Sequence, residues 1–97
     1  MADLSIHREH ALGLDEARRL AAEWARQAAE RFSMECVHRG GEDRHFVDFS
    51  RSGVQGQLVV TANSFELQAK LGFLLKAYRS RIEQEIATNL DGLLAAR

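Results

Sequence analysis

The chain has 97 residues, with 13 Lys and Arg against 14 Asp and Glu, so its formal net charge is −1. This length fits a single domain over residues 1–97 and leaves no room for a second one. The balanced charge gives no electrostatic reason to expect nucleic acid as a partner. Apolar residues make up 45% of the chain, which is typical of a globular protein and argues against disorder.

The sequence also bears on the compartment. No apolar window approaches the roughly 18–20 residues of a membrane span. The start of the chain lacks the basic and apolar regions of a secretory signal, and the lone Cys36 cannot form an internal disulfide. We therefore expect a cytoplasmic protein without a transmembrane segment.

The first half of the chain predicts a strand, a long helix and a second strand. Residues 3–8 alternate apolar and polar side chains, as a half-buried strand does. The helix is predicted over residues 14–32, with its N-cap near Gly13 or Leu14, because its apolar residues form one stripe. That stripe consists of Ala17, Leu20, Ala21, Trp24, Ala28 and Phe32. Residues 34–38 alternate again and predict the second strand.

Three further alternating runs follow, and glycines separate or interrupt them. They predict strands over residues 44–50, 54–62 and 65–70. Gly56 falls inside the second of these runs, and a glycine within a strand often marks a bulge or a sharp bend.

The last element is predicted as one amphipathic helix over residues 71–96, with Leu71, Leu74, Leu75 and Tyr78 in the core. Such a helix would be about 39 Å long, whereas an eight-residue strand spans about 26 Å. Either the helix crosses the sheet diagonally or its last turns leave an apolar surface uncovered. That candidate interaction face consists of Ile82, Ile86, Leu90, Leu93 and Leu94.

Together these elements predict an α+β fold. The expected architecture is a mostly antiparallel, curved sheet of about five strands with two helices, in the order β-α-β-β-β-β-α. The long C-terminal helix is expected to pack on the sheet.

Residues that often carry chemistry are present but do not form a recognisable site. The spacing of the thiol and the histidines does not suit a metal site; these residues are His7, His10, Cys36, His38 and His45. No GxSxG nucleophile motif occurs, and the segment from Gly53 to Gly56 lacks the features of a phosphate-binding loop. The sequence therefore predicts a protein that is not an enzyme, with no catalytic, metal-binding or cofactor-binding residues and no cofactor. A locally basic patch, interpreted as a solvated face, consists of Lys70, Lys76, Arg79 and Arg81.

Several short segments resemble a known family. They are Ser5-Ile-His-Arg-Glu-His10, Leu12-Gly-Leu, Glu16-Ala-Arg, Gly53-Val-Gln-Gly56 and Leu71-Gly72-Phe-Leu74-Leu75. Over nearly its whole length the chain is similar to the putative polyhydroxyalkanoic acid system family of small bacterial proteins. The resemblance implies that the protein is encoded near genes for polyester storage granules and that it has a role at the granule or in regulation. It implies no established activity and no catalytic residues.

Two classes of function remain open. The first is a non-enzymatic interaction module that associates with itself, with a granule protein or with the granule surface through the apolar face of the last helix. The second is a small carrier that binds a hydroxyacyl or fatty acyl ligand between the sheet and the C-terminal helix.

Overall fold

The computed structural model describes residues 3–95. Within that range the chain forms five strands, two α-helices and one 3-10 turn at Lys76–Tyr78. The elements in chain order are β1 (Leu4–Glu9), α1 (Leu14–Phe32), β2 (Glu35–Gly40), β3 (Arg44–Arg51), β4 (Val54–Thr61), β5 (Ser64–Leu71) and α2 (Arg79–Ala95). The predicted order β-α-β-β-β-β-α is confirmed.

The described strands form one antiparallel sheet in the order β1-β5-β4-β3-β2. Strands β2 to β5 follow one another through three hairpins, as short connections between alternating runs require. Strand β1 pairs with β5, from Leu4 opposite Ala69 to Glu9 opposite Ser64. Helix α1 therefore carries the chain from one edge of the sheet to the other.

Both helices lie on the same face of the sheet. Helix α1 packs on β2, β3 and β4, while α2 packs beside α1 and on β1. The buried residues of the strands all point to this face, and Trp24 of α1 meets the Phe49 ring edge-on with centroids 5.3 Å apart. Side chains on the other face are exposed or half-buried. The alternation in the sequence thus reports a sheet that is covered on one side.

Helix α1 has the predicted bounds. Gly13 stands at its N-cap with φ of 81°, a conformation that glycine adopts without steric strain. Asp15 and Glu16 lie in its first turn and Arg31 in its last, so these charges complement the helix dipole. Ser33 ends the helix in a left-handed conformation, and its N–H donates to the carbonyl of Ala28.

Gly56 introduces no bulge, which is one of the two features that the sequence suggests for it, since β4 pairs in unbroken register through this position with Phe49 on one side and Ala69 on the other. Its role is steric instead. A Cβ at Gly56 would lie against the Phe49 ring and 2.5 Å from the carbonyl oxygen of Gln68. Glycine is therefore required here because the Phe49 ring and the backbone of β5 occupy the space of a side chain.

The C-terminal helix is shorter than the sequence predicts. Leu71 is the last residue of β5, where it pairs with Val54, and α2 begins only at Arg79. Its 17 residues give a length of about 25 Å, close to that of an eight-residue strand. The predicted overhang was therefore wrong, because the residues assigned to its first two turns form the end of a strand and a turn. The predicted last residue, Ala96, lies outside the described part of the chain.

Candidate functional site

The five residues of the predicted interaction face lie on the side of α2 that packs on the rest of the chain. Ile86 and Leu90 are buried in the core, with 4% and 2% of their surface exposed. Ile82, Leu93 and Leu94 are half-buried and pack against that core. This face is therefore largely covered by other parts of the chain.

Three of the four exposed large apolar side chains among the described residues lie instead in residues 72–78. We call these residues the connecting segment because they join β5 to α2. Phe73, Leu74 and Tyr78 are 89%, 79% and 59% exposed. Two of these, Leu74 and Tyr78, are residues that the sequence places in the core. Helical spacing placed them there, but a turn follows Leu71, and a turn does not keep the spacing of a helix.

Backbone hydrogen bonds hold the connecting segment in place. The N–H of Gly72 donates to the Gly53 carbonyl over 2.7 Å, which ties the segment to the β3–β4 hairpin. The N–H groups of Leu75 and Lys76 both donate to the Gly72 carbonyl, at 2.9 and 3.1 Å. Leu75 points inward and packs over Gly53, where its Cδ1 would lie 2.9 Å from a Cβ. The exposure of Phe73 and Leu74 is thus a property of an ordered turn.

Four cations lie close to the exposed apolar residues in the sequence. Lys70 precedes the connecting segment, Lys76 lies within it, and Arg79 and Arg81 follow it. All four are exposed, as the sequence predicts for this basic patch. The Lys76 ammonium lies 3.9 Å from the carboxylate of Asp3. That carboxylate accepts a bond from the Leu71 N–H, which is the main reason that the pKa of Asp3 is lowered.

A small apolar cavity lies directly behind Leu75. Its volume is about 170 Å³, and it opens between the end of α1, the β3–β4 hairpin and the first turns of α2. Its lining consists of Phe32, Met34, Arg51, Val54, Leu75, Ile82, Glu85 and Ile86. Six of these side chains are apolar, and the two charged ones carry opposite charges.

A second concavity runs between α1 and α2. It is larger, about 780 Å³, and six of its nine lining residues are polar, with Gln27, Thr88 and Asn89 among them. It is an open groove between two helices, so it would leave more of a ligand exposed to water than a closed pocket does.

The histidines and the cysteine do not form one cluster, although two of the histidines are neighbours. His7 contacts Glu66 and Glu9 on the uncovered face, while His10 stacks on Phe65 with ring centroids 4.6 Å apart. His38 and His45 approach each other, with a ring nitrogen of each 3.2 Å apart. No group of three or more potential metal ligands comes together within residues 3–95.

Cys36 lies on β2 beneath α1. Its thiol donates to the carbonyl of Ala25 over 3.7 Å, and burial raises the pKa of the thiol. A raised pKa keeps the sulfur protonated at neutral pH, so Cys36 has the character of a small packing residue.

Sequence reasoning missed the residues that matter most here. Phe73 falls outside every apolar stripe, and Arg51 and Glu85 are charged residues in a hairpin and on a helix face. A signal was available for Phe73, because an aromatic side chain directly after a glycine at a strand end does not fit the strand pattern or the helix pattern. No local signal marks Arg51 or Glu85, since only the tertiary fold brings them to the same cavity.

Comparison with known proteins gives one match. A family model described as putative polyhydroxyalkanoic acid system protein matches residues 4–94. No curated protein matches the chain, and neither does any solved structure. Neither helix within residues 3–95 is long and apolar enough to cross a membrane.

Proposed function

The chain belongs to the family of putative polyhydroxyalkanoic acid system proteins, and we propose that it is a non-enzymatic protein that binds the surface of the polyester storage granule. In this proposal the protein is cytoplasmic and localises to the granule. The observation that carries the proposal is the ordered exposure of Phe73, Leu74 and Tyr78.

The chemistry of the connecting segment suits an apolar surface that meets water. Single exposed apolar residues are common, but three within six positions form a contiguous candidate patch. Aromatic and aliphatic side chains flanked by Lys and Arg are typical of protein segments that lie at an apolar–aqueous boundary. A bare polyester surface in water would present such a boundary, because the polymer consists of apolar chain and ester groups. The cations beside the segment would then face carboxylate ends or other anions at that surface.

The expected strength of this contact can be worked out from the exposed side chains. Full burial of a Phe or Leu side chain contributes about 1.5–3 kcal/mol. A flat surface covers about half of the exposed part of each side chain, which is 89% for Phe73 and 79% for Leu74, so the two together would contribute about 1.3–2.5 kcal/mol. That free energy corresponds to about a 10- to 70-fold change in partitioning.

The test is co-sedimentation of the purified protein with polyhydroxyalkanoate particles. We expect the double variant Phe73→Ser, Leu74→Ser to partition about 10- to 70-fold less. Its free energy of unfolding should be close to that of the parent, because both side chains are mostly exposed. The matched control is Val37→Ser, an exposed apolar residue on β2, 59% exposed, which should leave partitioning unchanged.

Equal partitioning of the double variant and the parent would refute granule binding through this segment. A parallel measurement of solution mass tests another partner that the sequence suggests, a second copy of the chain. A dimer that the double variant converts to a monomer would identify a second copy of the chain as the occupant of this surface.

A second candidate function, a carrier of a small acyl ligand, is favoured by the cavity behind Leu75. Its mostly apolar lining would shield an alkyl chain from water, and a predominantly apolar lining with a few polar groups is typical of ligand sites. A thermal-shift screen with short and long acyl ligands tests this function. Stabilisation by at least one ligand is expected, because a ligand that binds the folded state raises its stability, and no shift with any of them would contradict it.

A further inference from the structure

We propose that the cavity behind Leu75 binds a short hydroxy acid, with its alkyl chain among the apolar walls, its carboxylate on Arg51 and its hydroxyl on Glu85. This inference rests on the carrier function and specifies the ligand. It uses a site separate from the exposed side chains of the connecting segment.

The size of the cavity limits the length of the ligand. Its volume is about 170 Å³. An apolar cavity of about 150 Å³ in another protein holds one benzene molecule. The space therefore suits an alkyl chain in a ligand of about four to six carbons and is too small to enclose a long fatty acyl chain.

Arg51 is held in position for a carboxylate. Its Nη1 donates over 2.6 Å to the carbonyl of Phe32, the last residue of α1. That carbonyl belongs to a helix end, where carbonyl groups lack partners within the helix. The bond uses one N–H of a guanidinium that has several, and the planar fork of Arg matches the two oxygens of a carboxylate. The sheet and the helix end thus together fix a cation at the mouth of an apolar space.

Glu85 adds the second part of the recognition. It lines the same cavity from α2, and its carboxylate is 3.9 Å from Arg81. An ionised carboxylate accepts hydrogen bonds and repels another anion. A ligand with a carboxylate alone would meet attraction from Arg51 and repulsion from Glu85. A ligand that also carries a hydroxyl can donate that hydroxyl to Glu85, so the pair favours a hydroxy acid over the plain acid.

The hydroxyl also distinguishes two ligands that carry the same carboxylate, namely the free hydroxy acid and the carboxyl end of the polyester. The carboxyl end of a polyester has its hydroxyl esterified, so it has no proton to donate to Glu85. A free hydroxy acid retains that proton. The inference therefore commits to the free monomer.

The test is a methyl-detected NMR titration of the intact chain with 3-hydroxyhexanoate, hexanoate and 3-acetoxyhexanoate, the last as a mimic of the polymer end. We expect saturable shifts at the methyl groups that line the cavity, with 3-hydroxyhexanoate binding most tightly. Arg51→Gln should weaken its binding by about tenfold or more. Glu85→Gln should remove the preference over hexanoate. The matched control, Arg44→Gln, removes an exposed cation outside the cavity lining and should leave binding unchanged.

Each contrary outcome has its own meaning. If hexanoate binds as tightly as 3-hydroxyhexanoate, or if Arg51→Gln has no effect, the inference is overturned while the carrier function stands. If none of the three acids shifts the cavity methyl groups at saturating concentration, the inference is overturned, and the thermal-shift screen decides the carrier function separately. Tightest binding of 3-acetoxyhexanoate would overturn the commitment to the free monomer. Ile82→Phe fills the cavity with a bulkier side chain and should abolish the shifts without changing granule partitioning.

Discussion

Replacement of Gly56 by Ala offers a quantitative test of how the sheet packs. The added Cβ would lie 2.5 Å from the Gln68 carbonyl oxygen and against the Phe49 ring. Neither neighbour can move easily, because β5 is paired on both sides and Phe49 is wedged beneath Trp24. Overpacking of this kind costs about 1–3 kcal/mol. The lower backbone entropy of Ala in the unfolded chain offsets about 0.5–1 kcal/mol.

After this offset, we expect Gly56→Ala to lower the free energy of unfolding by about 1 kcal/mol. For a domain of this size, that corresponds to a fall in Tm of about 4–8 °C. The assay is urea denaturation followed by circular dichroism and by the fluorescence of Trp24. In a Phe49→Leu background the same substitution should be less destabilising, because part of the steric conflict has been removed.

The matched control is Gly92→Ala. Gly92 lies within α2, and a Cβ there would have no heavy atom within 4 Å. The substitution should stabilise the protein by about 0.5–1 kcal/mol, since Ala is the better helix former. If both substitutions changed stability in the same direction, or if Gly56→Ala were neutral, the steric role of Gly56 would be refuted.

Three further predictions concern titratable groups. Arg8 donates to both carboxylate oxygens of Asp91, at 2.6 and 3.3 Å, and this hydrogen bonding lowers the pKa of Asp91. A double-mutant cycle with Arg8→Ala and Asp91→Ala should give a coupling free energy of about 0.2–1 kcal/mol at neutral pH. Because the pKa of Asp91 is lowered in the folded state, this coupling should disappear as the pH falls through that pKa. A coupling that grows in acid would contradict the ion pair between Arg8 and Asp91. Burial, and then the charges of His38 and Arg18, lower the pKa of His45. The unfolded state therefore binds a proton at His45 more readily than the folded state does. His45 should favour folding above its ordinary pKa and lose that contribution as the pH falls through the lowered pKa. An NMR titration in which His38→Ala lowers the His45 pKa further would count against a contribution from the His38 charge. Burial raises the pKa of Cys36, so its thiol should react with Ellman's reagent more slowly than an unstructured cysteine peptide, and a faster reaction would show that the thiol is activated.

Where side-chain period and turn chemistry agreed, the sequence was sufficient. Helix α1 carries one apolar stripe, acidic residues in its first turn and Gly13 ahead of it, and its bounds were predicted to the residue. The strand predictions differ from the structure by one or two residues at their ends. The ends of a strand depend on which backbone groups form hydrogen bonds with neighbouring strands. The sequence of one strand does not show where its neighbours begin and end.

The failure at the C-terminal helix has a particular cause. Leu71 continues the alternation of β5 and also stands three residues before Leu74, so it fits both periods. Hydrogen bonding to the β3–β4 hairpin decides between them, because Gly72 donates to the Gly53 carbonyl and turns the chain. The exposed residues were missed for the same reason. A contact between residues 53 and 72 depends on the tertiary fold and leaves no local pattern.

The packing of α2 against β1 has a consequence for the local unfolding of the protein. These elements stand at opposite ends of the described chain, and the bidentate contact between Arg8 and Asp91 joins them. The hydrogen-bonded pairing of β2 to β5 does not include α2, so we expect local unfolding of this helix to require less free energy than global unfolding. Each opening event releases the apolar face that contains Ile86 and Leu90. A partner that recognised the released helix would bind with an affinity reduced by the fraction of time that the helix is open. Helix α2 is in this sense a latent surface, and the hydrogen-exchange rates of its amides measure how often it becomes available.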